Sequence, residues 1–555
     1  MPEITRKCRL TGKEFVITEW EQEFIKKMGF PLPTLCLEER HRRRLAHRNE
    51  RNLYEDKCDL TGKPIISIYS PEKPYKVYSQ EAWWSDDWDS RDYGRDFDFS
   101  RPFFEQFKEL QLDVPRVALM NTKSENSEYC NVTTSNKNCY LVFGGDFNED
   151  CIYSTFNFHS KNVCDVYWVD KSELLYECID CNQCYDVMYS RNSTGCHDSK
   201  FLFECRNCEN CIGCVGLRSK KYHIFNKSYS KEEYEKKVEE LKLHTWSGIK
   251  KIRAEFDKFR LQFPHRHSYI INCENSTGNH LTNCQNCLNC FDVTGPAKDL
   301  KDVVLAGFGM NDALSSNHIG HKSELFYEML GSFESYNCAF CSFAWMSQNI
   351  FYCDLVTNSE NLFGCTNMKK AQYCIFNKQY TEKEYEDLKE KIIAHMKSTG
   401  EWGEYFPGFI SPFGYNETVV QEYAPLEKEE ALKKGFNWCD YENPDPKVEK
   451  VIPAAKLPES IEDVPDDVLN WAIECEVSKK PFKIIPQELK FYREKNIPLP
   501  RKHHEIRHKE RLNLRTPWRA WERNCDKCGV NIRTAYSPKR PEKIYCEECY
   551  LKEVY

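Results

Sequence analysis

Short hydrophobic runs recur roughly every 10 to 14 residues through the middle of the chain, for example at residues 139–142, 151–153 and 164–168. The intervals between them hold Asn, Asp, Ser and Gly, which tolerate the left-handed backbone of tight corners. Runs this short, evenly spaced and rich in aromatic or β-branched residues predict the strands of a coiling β-solenoid, in which each turn stacks on the next. A cysteine opens many of the runs, and we expect it to point into a narrow core.

The solenoid pattern occurs twice. The sequence Ile-Phe-Asn-Lys begins at Ile224 and again at Ile375, an offset of 151 that other matches share. The middle of the chain therefore predicts two cysteine-lined β-solenoid blocks, block 1 over residues 120–228 and block 2 over residues 266–378.

A helix is predicted to follow each block. Ser230 and Thr381 each begin a capping box with a glutamate three residues later, in which a hydroxyl and a carboxylate satisfy backbone N–H groups at a helix start. We expect the first box to open one long connecting helix within residues 229–265. Further on, the region from about 440 to 465 is rich in Pro, Asp, Glu and Lys without periodicity, which indicates a linker.

The two ends of the chain are also related to each other. Residues 475–555 repeat residues 8–88 at a constant offset of 467 without a gap, and Tyr-Ser-Pro at Tyr69 and Tyr536 is one of many matches. Each copy is predicted to be a zinc-ribbon-like α+β module made of two tandem hairpin units. The expected fold is therefore mainly β with accessory helices, two solenoid blocks flanked by duplicated modules.

Only the later copy keeps four cysteines that could bind one metal ion. They form two Cys-x-x-Cys pairs, Cys525 with Cys528 and Cys546 with Cys549. Two thiolate pairs on separate turns are the arrangement of a tetrahedral structural Zn²⁺ site, which leaves no open position for catalysis. The matching positions of the first copy read Cys58, Thr61, Ser79 and Ala82. The sequence therefore predicts one structural zinc ion, held by the C-terminal copy alone.

Closely spaced cysteines inside the two blocks are a second candidate metal site. Their Cys-x-x-Cys spacing resembles an iron–sulfur ligand run, although the Cys-Pro that usually completes such a run is missing. The asparagines between them indicate a turn repeat instead, so buried thiols, a second metal site and an iron–sulfur cluster all stay open. The cysteines concerned are Cys205, Cys208, Cys211, Cys214, Cys284, Cys287 and Cys290.

Nine aromatic residues lie between Trp83 and Phe107, interspersed with Asp and Arg. Because aromatic area is strongly driven out of water, we expect a strap over residues 93–119 that docks the first module on the solenoid. A surface that stacks unpaired bases is the alternative, and the acidic residues of the segment weaken it.

Charge is distributed unevenly along the chain. The full sequence holds 78 Lys and Arg against 86 Asp and Glu, a net charge of −8, whereas residues 475–555 hold 20 against 11. Arginines at helical spacing beside a zinc module could clamp phosphates with bidentate geometry, or they could form an ordinary solvated face. The candidates for nucleic-acid binding are Arg507, Arg511, Arg515, Arg519 and Arg523.

No stretch of the sequence approaches the roughly 18 apolar residues of a membrane span, and the first residues lack the apolar core of a secretory signal. We therefore expect a soluble cytoplasmic protein without a membrane partner, whose 30 cysteines are thiols or metal ligands rather than disulfides. The sequence contains no Gly-rich phosphate loop, Ser-centred elbow or His-Glu-x-x-His motif, which argues against the common enzyme classes.

Several longer motifs carry a resemblance to a known family. They are Cys-Asp-Leu-Thr-Gly-Lys at Cys58, Tyr-Ser-Pro-Glu-Lys-Pro-Tyr-Lys-Val-Tyr at Tyr69, Gly-Arg-Asp-Phe-Asp-Phe-Ser-Arg-Pro-Phe-Phe-Glu-Gln-Phe at Gly94, Ile-Phe-Asn-Lys-Gln-Tyr at Ile375 and Tyr-Cys-Glu-Glu-Cys-Tyr at Tyr545. Over nearly its whole length the chain resembles a family of uncharacterised, cysteine-rich, zinc-ribbon-containing proteins of Candidate Phyla Radiation bacteria. The resemblance implies a cytosolic bacterial protein and no particular activity. Relatives in that family carry paired cysteines where this chain has Thr11, Glu39, Ser478, His503 and Ile506.

At 555 residues the chain is too long for a single core, so several domains are expected. The predicted order is a degenerate module at 1–92, the strap at 93–119, block 1 at 120–228, a connecting helix at 229–265, block 2 at 266–378, a helix and linker at 379–470, and a basic zinc module at 471–555. The favoured function is a non-catalytic zinc protein that binds RNA or a ribonucleoprotein through its basic C-terminal module. The alternatives are a β-solenoid scaffold for protein partners and a metal- or thiol-dependent enzyme.

Overall fold

The fold is built around two β-solenoids with parallel strand pairing. A computed structural model describes residues 2–554. In the first solenoid the coils have a constant length, because Glu125 bridges Lys137 and Lys137 bridges Glu149 at the same interval, always in parallel. The chain therefore rises by one strand spacing, about 4.8 Å, with each coil. The mainly β architecture and the solenoid that the short hydrophobic runs predicted are confirmed.

Left-handed backbone positions divide each coil into short sides. Asn207 and Asn210 have φ of 50° and 51°, and positive φ recurs at every third position through most of both solenoids. Asn adopts this conformation at low cost, but Phe201 adopts it as well, so the stacked coils hold residues there against local preference. The residue that follows each of the two Asn corners, Cys208 and Cys211, is fully buried. Every third residue therefore supplies the core.

Short parallel strands make up most of both solenoids. In the first solenoid they are Asn121–Thr122, Thr133–Thr134, Tyr140–Phe143, Ile152–Phe158, Tyr167–Asp170, Ile179–Asn182, Tyr185–Met188, His197–Lys200, Glu209–Ile212 and Lys221–Ile224, followed by the antiparallel Lys227–Ser228. In the second they are Ile270–Ile271, Gly278–Leu288, Cys290–Gly307, Met310–Gly320, Ser323–Tyr327, Leu330–Phe333, Tyr336–Ala339, Ser342–Trp345, Gln348–Phe351, Asp354–Thr357, Glu360–Phe363, Thr366–Lys369 and Gln372–Ile375, followed by the antiparallel Lys378–Gln379.

The second solenoid contains wider coils near its start. Ala297 pairs with Met310, so this coil is one residue longer than a coil of the first solenoid, in which Glu125 pairs with Lys137. Leu330 pairs with Ser342, so the later coils return to the regular length. Gly307 lies in the wide region with a φ of 148°, and a Cβ there would lie 1.9 Å from the carbonyl oxygen of Thr294. Only glycine allows the two coils to approach so closely at that point.

Hairpins and helices form the terminal modules and the connections. The remaining strands are Ile4–Lys7, Glu14–Ile17, Tyr54–Lys57, Pro64–Ser67, Val77–Tyr78, Arg116–Val117, His265–Arg266, Lys450–Pro453, Trp471–Glu474, Pro481–Phe482, Trp521–Asn524, Asn531–Thr534 and Ile544–Tyr545. The α-helices are Glu19–Lys27, Leu37–Leu45, Gln80–Trp84, Phe103–Asp113, Lys231–Glu240, Trp246–Arg260, Glu382–Thr399, Val419–Tyr423, Lys428–Lys433, Pro486–Glu494, His504–Leu514 and Glu547–Val554.

The connection between the solenoids departs from the sequence prediction. Instead of one long helix, the structure has two helices, Lys231–Glu240 and Trp246–Arg260. The second helix starts at Thr245, whose hydroxyl accepts the backbone N–H of Gly248 as an N-cap. Both predicted capping boxes are present, one at the first of these helices and one at Glu382–Thr399.

Part of the predicted linker belongs to a sheet. Lys450–Pro453 pairs in parallel with Trp471–Glu474, which in turn pairs with Pro481–Phe482 of the last module. The linker prediction was therefore too long, because a strand partner that lies beyond the linker itself is not visible in local composition.

Each terminal module forms a strand pair with the segment that leads into one of the solenoids. Val77–Tyr78 of the first module pairs with Arg116–Val117, which leads into the first solenoid. At the equivalent position of the last module, Ile544–Tyr545 pairs with His265–Arg266, which leads into the second solenoid. The sequence duplication at offset 467 therefore corresponds to a structural duplication, in which each module holds the start of one solenoid.

The aromatic strap packs against the second solenoid. The ring centroid of Phe103 lies 5.1 Å from that of Phe376 and 5.7 Å from that of Phe363. Two rings of the segment, Trp84 and Phe99, are 40% and 47% exposed. This burial supports the docking interpretation of the strap, and it leaves few rings to stack on bases.

Candidate metal centre and buried arginine clamps

Four sulfur atoms converge near the C-terminus. Cys525 and Cys528 lie in the turn between the strands Trp521–Asn524 and Asn531–Thr534, and Cys546 and Cys549 lie at the start of the helix that follows. Their Sγ atoms all lie within 4.8 Å of one another. This group could hold a metal ion, as the sequence predicted.

Backbone geometry prepares one of these sulfurs, that of Cys525, for a cation. Burial acts to raise the pKa of the Cys525 thiol, but backbone N–H groups of Cys528 and Cys546 lower that pKa to about 6. The N–H of Cys546 lies 3.3 Å from the Cys525 sulfur. Gly529 has a φ of 77°, which lets the turn fold the first Cys pair back toward the second. Thiolates held by backbone N–H groups are ready metal ligands.

The first module keeps this turn without the ligands. The Cys58 sulfur accepts the backbone N–H of Ser79 at 3.2 Å, as Cys525 accepts that of Cys546. The Ser79 hydroxyl then caps the next helix by accepting the N–H of Ala82 at 3.1 Å. Hydrogen bonds therefore replace the metal ligands in the degenerate copy.

The seven cysteines considered for a second metal site lie inside the two solenoids. All seven are buried, and each follows a corner of a coil, so neighbouring sulfurs in sequence sit on different sides of the same coil. The Cys205 thiol donates to the carbonyl oxygens of Phe203 and Cys214, at 3.6 and 3.5 Å. Among residues 2–554, the group of cysteines that converges with metal-ligand geometry is the C-terminal one. This arrangement favours the thiol interpretation over a second metal or iron–sulfur site.

We expect the solenoid cysteines to be almost inert in the native protein. Burial raises the pKa of Cys338 to about 12 and that of Cys164 well above its usual value. Because the thiolate is the nucleophile, alkylation by iodoacetamide should be at least ~100-fold slower in buffer than in urea. Mass spectrometry of labelled peptides checks this, with the partly exposed Cys439 as a native-state control. Equal labelling rates with and without urea at Cys164 and Cys338 would contradict it.

Three of the five arginines proposed for nucleic-acid binding are buried against the solenoids. Arg507 and Arg511 both pair with Asp165 of the first solenoid, Arg511 at 2.8 Å, and Arg507 also lies 3.4 Å from Glu488. Asp165 is fully buried, so the two guanidiniums hold one desolvated carboxylate.

Arg515 connects the two solenoids. Its guanidinium donates to Asp180 of the first solenoid at 3.0 Å and to Asp292 of the second at 2.8 Å. Of the remaining candidates, Arg523 is half-buried and donates to the carbonyl of Ser537. Arg519 alone of the five is exposed. The structure therefore assigns three of the five arginines to packing between domains, which removes most of the predicted phosphate-binding set.

The first module has a matching clamp that the sequence analysis missed. Arg40 and Arg44, which precede Arg507 and Arg511 by the same offset of 467, both pair with Glu328 of the second solenoid. The Arg44 side chain is 1% exposed. Each module thus holds the start of one solenoid with a strand and clamps the other solenoid with two arginines. The duplicated arginines were visible in the sequence, but their carboxylate partners follow no repeat offset.

A polar groove runs along the second solenoid. It encloses about 660 Å³ and is lined by side chains from five consecutive coils. Two columns of residues form its walls, Lys322, Glu334, Met346, Asn358 and Lys370 on one side and Glu324, Tyr336, Gln348, Glu360 and Gln372 on the other. Tyr336 and Met346 are 46% and 41% exposed, so two apolar side chains lie among the polar and charged residues of the groove.

Comparisons with known proteins leave the family open. No protein-family model matches the chain, and no curated protein matches it. One solved structure with some likeness is a chain of Desulfovibrio desulfuricans G20 described as a "putative acetyltransferase", 10% identical, covering 44% of this chain and 58% of that one with a TM-score of 0.12. At that TM-score the likeness carries no argument about fold or function. The resemblance that the sequence motifs carry therefore stays a prediction. Among residues 2–554, no helix is long and apolar enough to cross a membrane.

Proposed function

We propose that this protein is a scaffold, stabilised by a structural zinc ion, that binds an extended segment of a protein partner in the groove of the second solenoid. The groove is the observation that carries the proposal. Five coils at about 4.8 Å spacing give a length of about 19 Å, which fits about six residues of extended polypeptide. The two exposed apolar side chains and the Lys and Glu residues around them favour a partner segment that carries a hydrophobic residue and charges of both signs.

Zinc is the metal that suits the four-cysteine group. Four thiolates in a closed set favour zinc among abundant divalent ions, and they leave no ligand position for a substrate. Cys525, Cys528, Cys546 and Cys549 would hold the ion, which would fix the turn and the helix of the last module. Its role would be to brace the strand Ile544–Tyr545 against the segment that leads into the second solenoid.

The buried arginine–carboxylate pairs between the modules and the solenoids support the scaffold proposal. Two carboxylates, Asp165 and Glu328, are each held by a pair of arginines from a different module. Such pairs are costly to break once desolvated, so the modules should keep the two solenoids in one fixed arrangement. The groove lies within the second solenoid, and the pair of arginines at Glu328 anchors that solenoid to the first module. Nucleic-acid binding, the function favoured from sequence, stays a prediction.

Replacing both exposed apolar residues of the groove should abolish partner binding. We expect a Tyr336→Ala, Met346→Ala double variant to lose a protein that wild-type chain retains from nuclease-treated native lysate. These two side chains should contribute most of the binding energy, so the expected loss of affinity is at least about tenfold. Isothermal titration with a peptide taken from the recovered partner measures that loss.

A matched control separates binding in the groove from non-specific hydrophobic binding elsewhere on the surface. Phe147 is a 55% exposed aromatic residue of the first solenoid, and Phe147→Ala should bind the peptide as wild type does. A complex that disappears on nuclease treatment would support nucleic-acid binding instead. Equal affinity of the double variant and wild type would remove the groove from the proposal.

A further inference from the structure

A second cavity lies where three parts of the chain meet. It encloses about 360 Å³ between the first solenoid, the segment that leads into the second solenoid and the helix Glu547–Val554. The first solenoid contributes Glu204, Arg206 and Arg218 to its wall, and the segment after Arg260 contributes Arg266. Cavities of this size are in the range that small-molecule ligands occupy, about 300 to 1,000 Å³.

A buried carboxylate forms the floor of the cavity. Glu204 is 6% exposed and accepts hydrogen bonds from the hydroxyls of Tyr269 and Tyr550. Burial raises the pKa of Glu204, although both tyrosine hydroxyls act to lower it. The carboxylate is therefore already bonded within the protein, and it is poorly placed to attract a cation.

The charges of the cavity wall do not cancel. Three guanidiniums line it, those of Arg206, Arg218 and Arg266, against the two carboxylates of Glu204 and Glu547. Arg266 is neutralised by Glu547, with Nε 2.7 Å from Oε2 and a second contact at 2.5 Å. Arg218 donates to backbone carbonyl oxygens, including that of Leu217 at 3.1 Å, and it also contacts the Tyr550 hydroxyl and lies close to the Glu204 carboxylate. The cavity therefore has an excess of positive charge.

Arg206 is the guanidinium of this set that is open to a ligand. Its side chain is exposed, and within residues 2–554 it forms no ion pair with a carboxylate. An anion that enters the cavity can therefore meet Arg206 without first displacing a carboxylate from it.

Two partly exposed apolar side chains also line the cavity. Ile271 and Leu551 line the cavity and are each 39% exposed. A ligand with a charged group and a flat or apolar group would therefore find complementary side chains in the cavity wall.

We propose that this cavity binds a small phosphate ester of about mononucleotide size, with its phosphate at Arg206 and Arg218 and its apolar part at Ile271 and Leu551. Guanidinium groups hold phosphate oxygens with paired N–H bonds, which is why arginine recurs at such sites. The side-chain amide of Asn192, which also lines the cavity, can donate to the ester oxygens.

Metal binding by the four-cysteine group should affect ligand binding in this cavity. Glu547 follows Cys546 directly, and Tyr550 and Leu551 follow Cys549, so three residues of the cavity wall belong to the helix at whose start Cys546 and Cys549 lie. Loss of the metal would loosen that helix, release Glu547 from Arg266 and open the wall. Binding of the phosphate ester should therefore weaken in metal-free protein.

Isothermal titration of the full chain in a phosphate-free buffer of low ionic strength tests the proposal. The probes are adenosine 5′-monophosphate, inorganic phosphate and adenosine. We expect the monophosphate to bind, inorganic phosphate to compete with it, and adenosine alone to bind at least about tenfold more weakly. Arg206→Gln should weaken monophosphate binding about tenfold or more, because one charge-assisted contact is lost.

Arg519→Gln is the matched control, since Arg519 is an exposed arginine of the last module that does not line the cavity. It should bind the monophosphate as wild type does. The proposal is overturned if the monophosphate shows no binding at millimolar concentration, if adenosine binds equally well, or if the two arginine variants weaken binding equally. None of these outcomes depends on the groove, so this test and the scaffold test can fail separately.

Discussion

A Cys525→Ser variant should lose its metal ion and the fold of the hairpin and helix around the four-cysteine group, whereas Cys58→Ser should retain both. Cys58 is the counterpart of Cys525 at offset 467 and forms the same N–H to sulfur bond, but it lies in the copy that lacks the other three cysteines. A structural zinc site contributes roughly 10 to 16 kcal/mol to the folding of isolated zinc-finger peptides, so its loss should unfold this small hairpin and helix.

Elemental analysis of protein purified without chelator measures the first effect. We expect one zinc per chain in wild type and in Cys58→Ser, and close to none in Cys525→Ser. Hydrogen exchange measures the second effect, and exchange should become fast in the strand Ile544–Tyr545 and the helix Glu547–Val554. Absence of zinc from wild type, or substantial iron in its place, would falsify the metal assignment.

An Asp165→Asn variant should destabilise the attachment of the last module by about 3 kcal/mol or more. The substitution leaves Arg511 buried without its carboxylate and Arg507 with Glu488 at 3.4 Å, and removing one partner of a buried ion pair typically costs about 3 to 5 kcal/mol. Asparagine is chosen because residue 165 has a φ of 58°, which asparagine tolerates, so the effect reports charge rather than backbone strain.

The urea midpoint and hydrogen exchange of the helix His504–Leu514 measure this loss. Asp198→Asn is the control, because Asp198 occupies another corner of the same solenoid with a φ of 47° and is exposed. Its effect should stay within about 0.5 kcal/mol. Similar destabilisation by both variants would show that corner geometry, and not the clamp, holds the module.

Much of the architecture could be predicted from sequence because it is repetitive. Corner residues, short hydrophobic runs and inward cysteines recur with the coil, so each repeat reinforces the same prediction. The capping boxes at Ser230 and Thr381 were equally reliable, since both of their hydrogen-bond partners lie within the same helical turn. The four-cysteine group was predicted for a similar reason, because each of its two pairs is a local Cys-x-x-Cys motif.

Predictions failed where a partner lies far away in sequence. The helix break at Thr245, which forms a bridge with Ser460, and the strand Lys450–Pro453, which pairs with Trp471–Glu474, were missed because these partners lie outside the local sequence. Partners far away in sequence affected the predicted role of the C-terminal arginines most. Arginines at helical spacing look the same whether they face solvent, phosphate or a buried carboxylate from a remote part of the chain, as Arg507 faces Asp165.

The sequence by itself determined the repeats: two solenoids, two duplicated modules and one intact set of four cysteines, because periodic spacing and local turn chemistry are written in neighbouring residues. Only the tertiary structure decided that each module holds the start of one solenoid and clamps the other, and that Arg507, Arg511 and Arg515 face carboxylates. The physical reason is that a buried charge pairs with a group of opposite charge that the fold brings within about 3 Å of it. That group can come from any part of the chain, so local sequence does not show which residue it is.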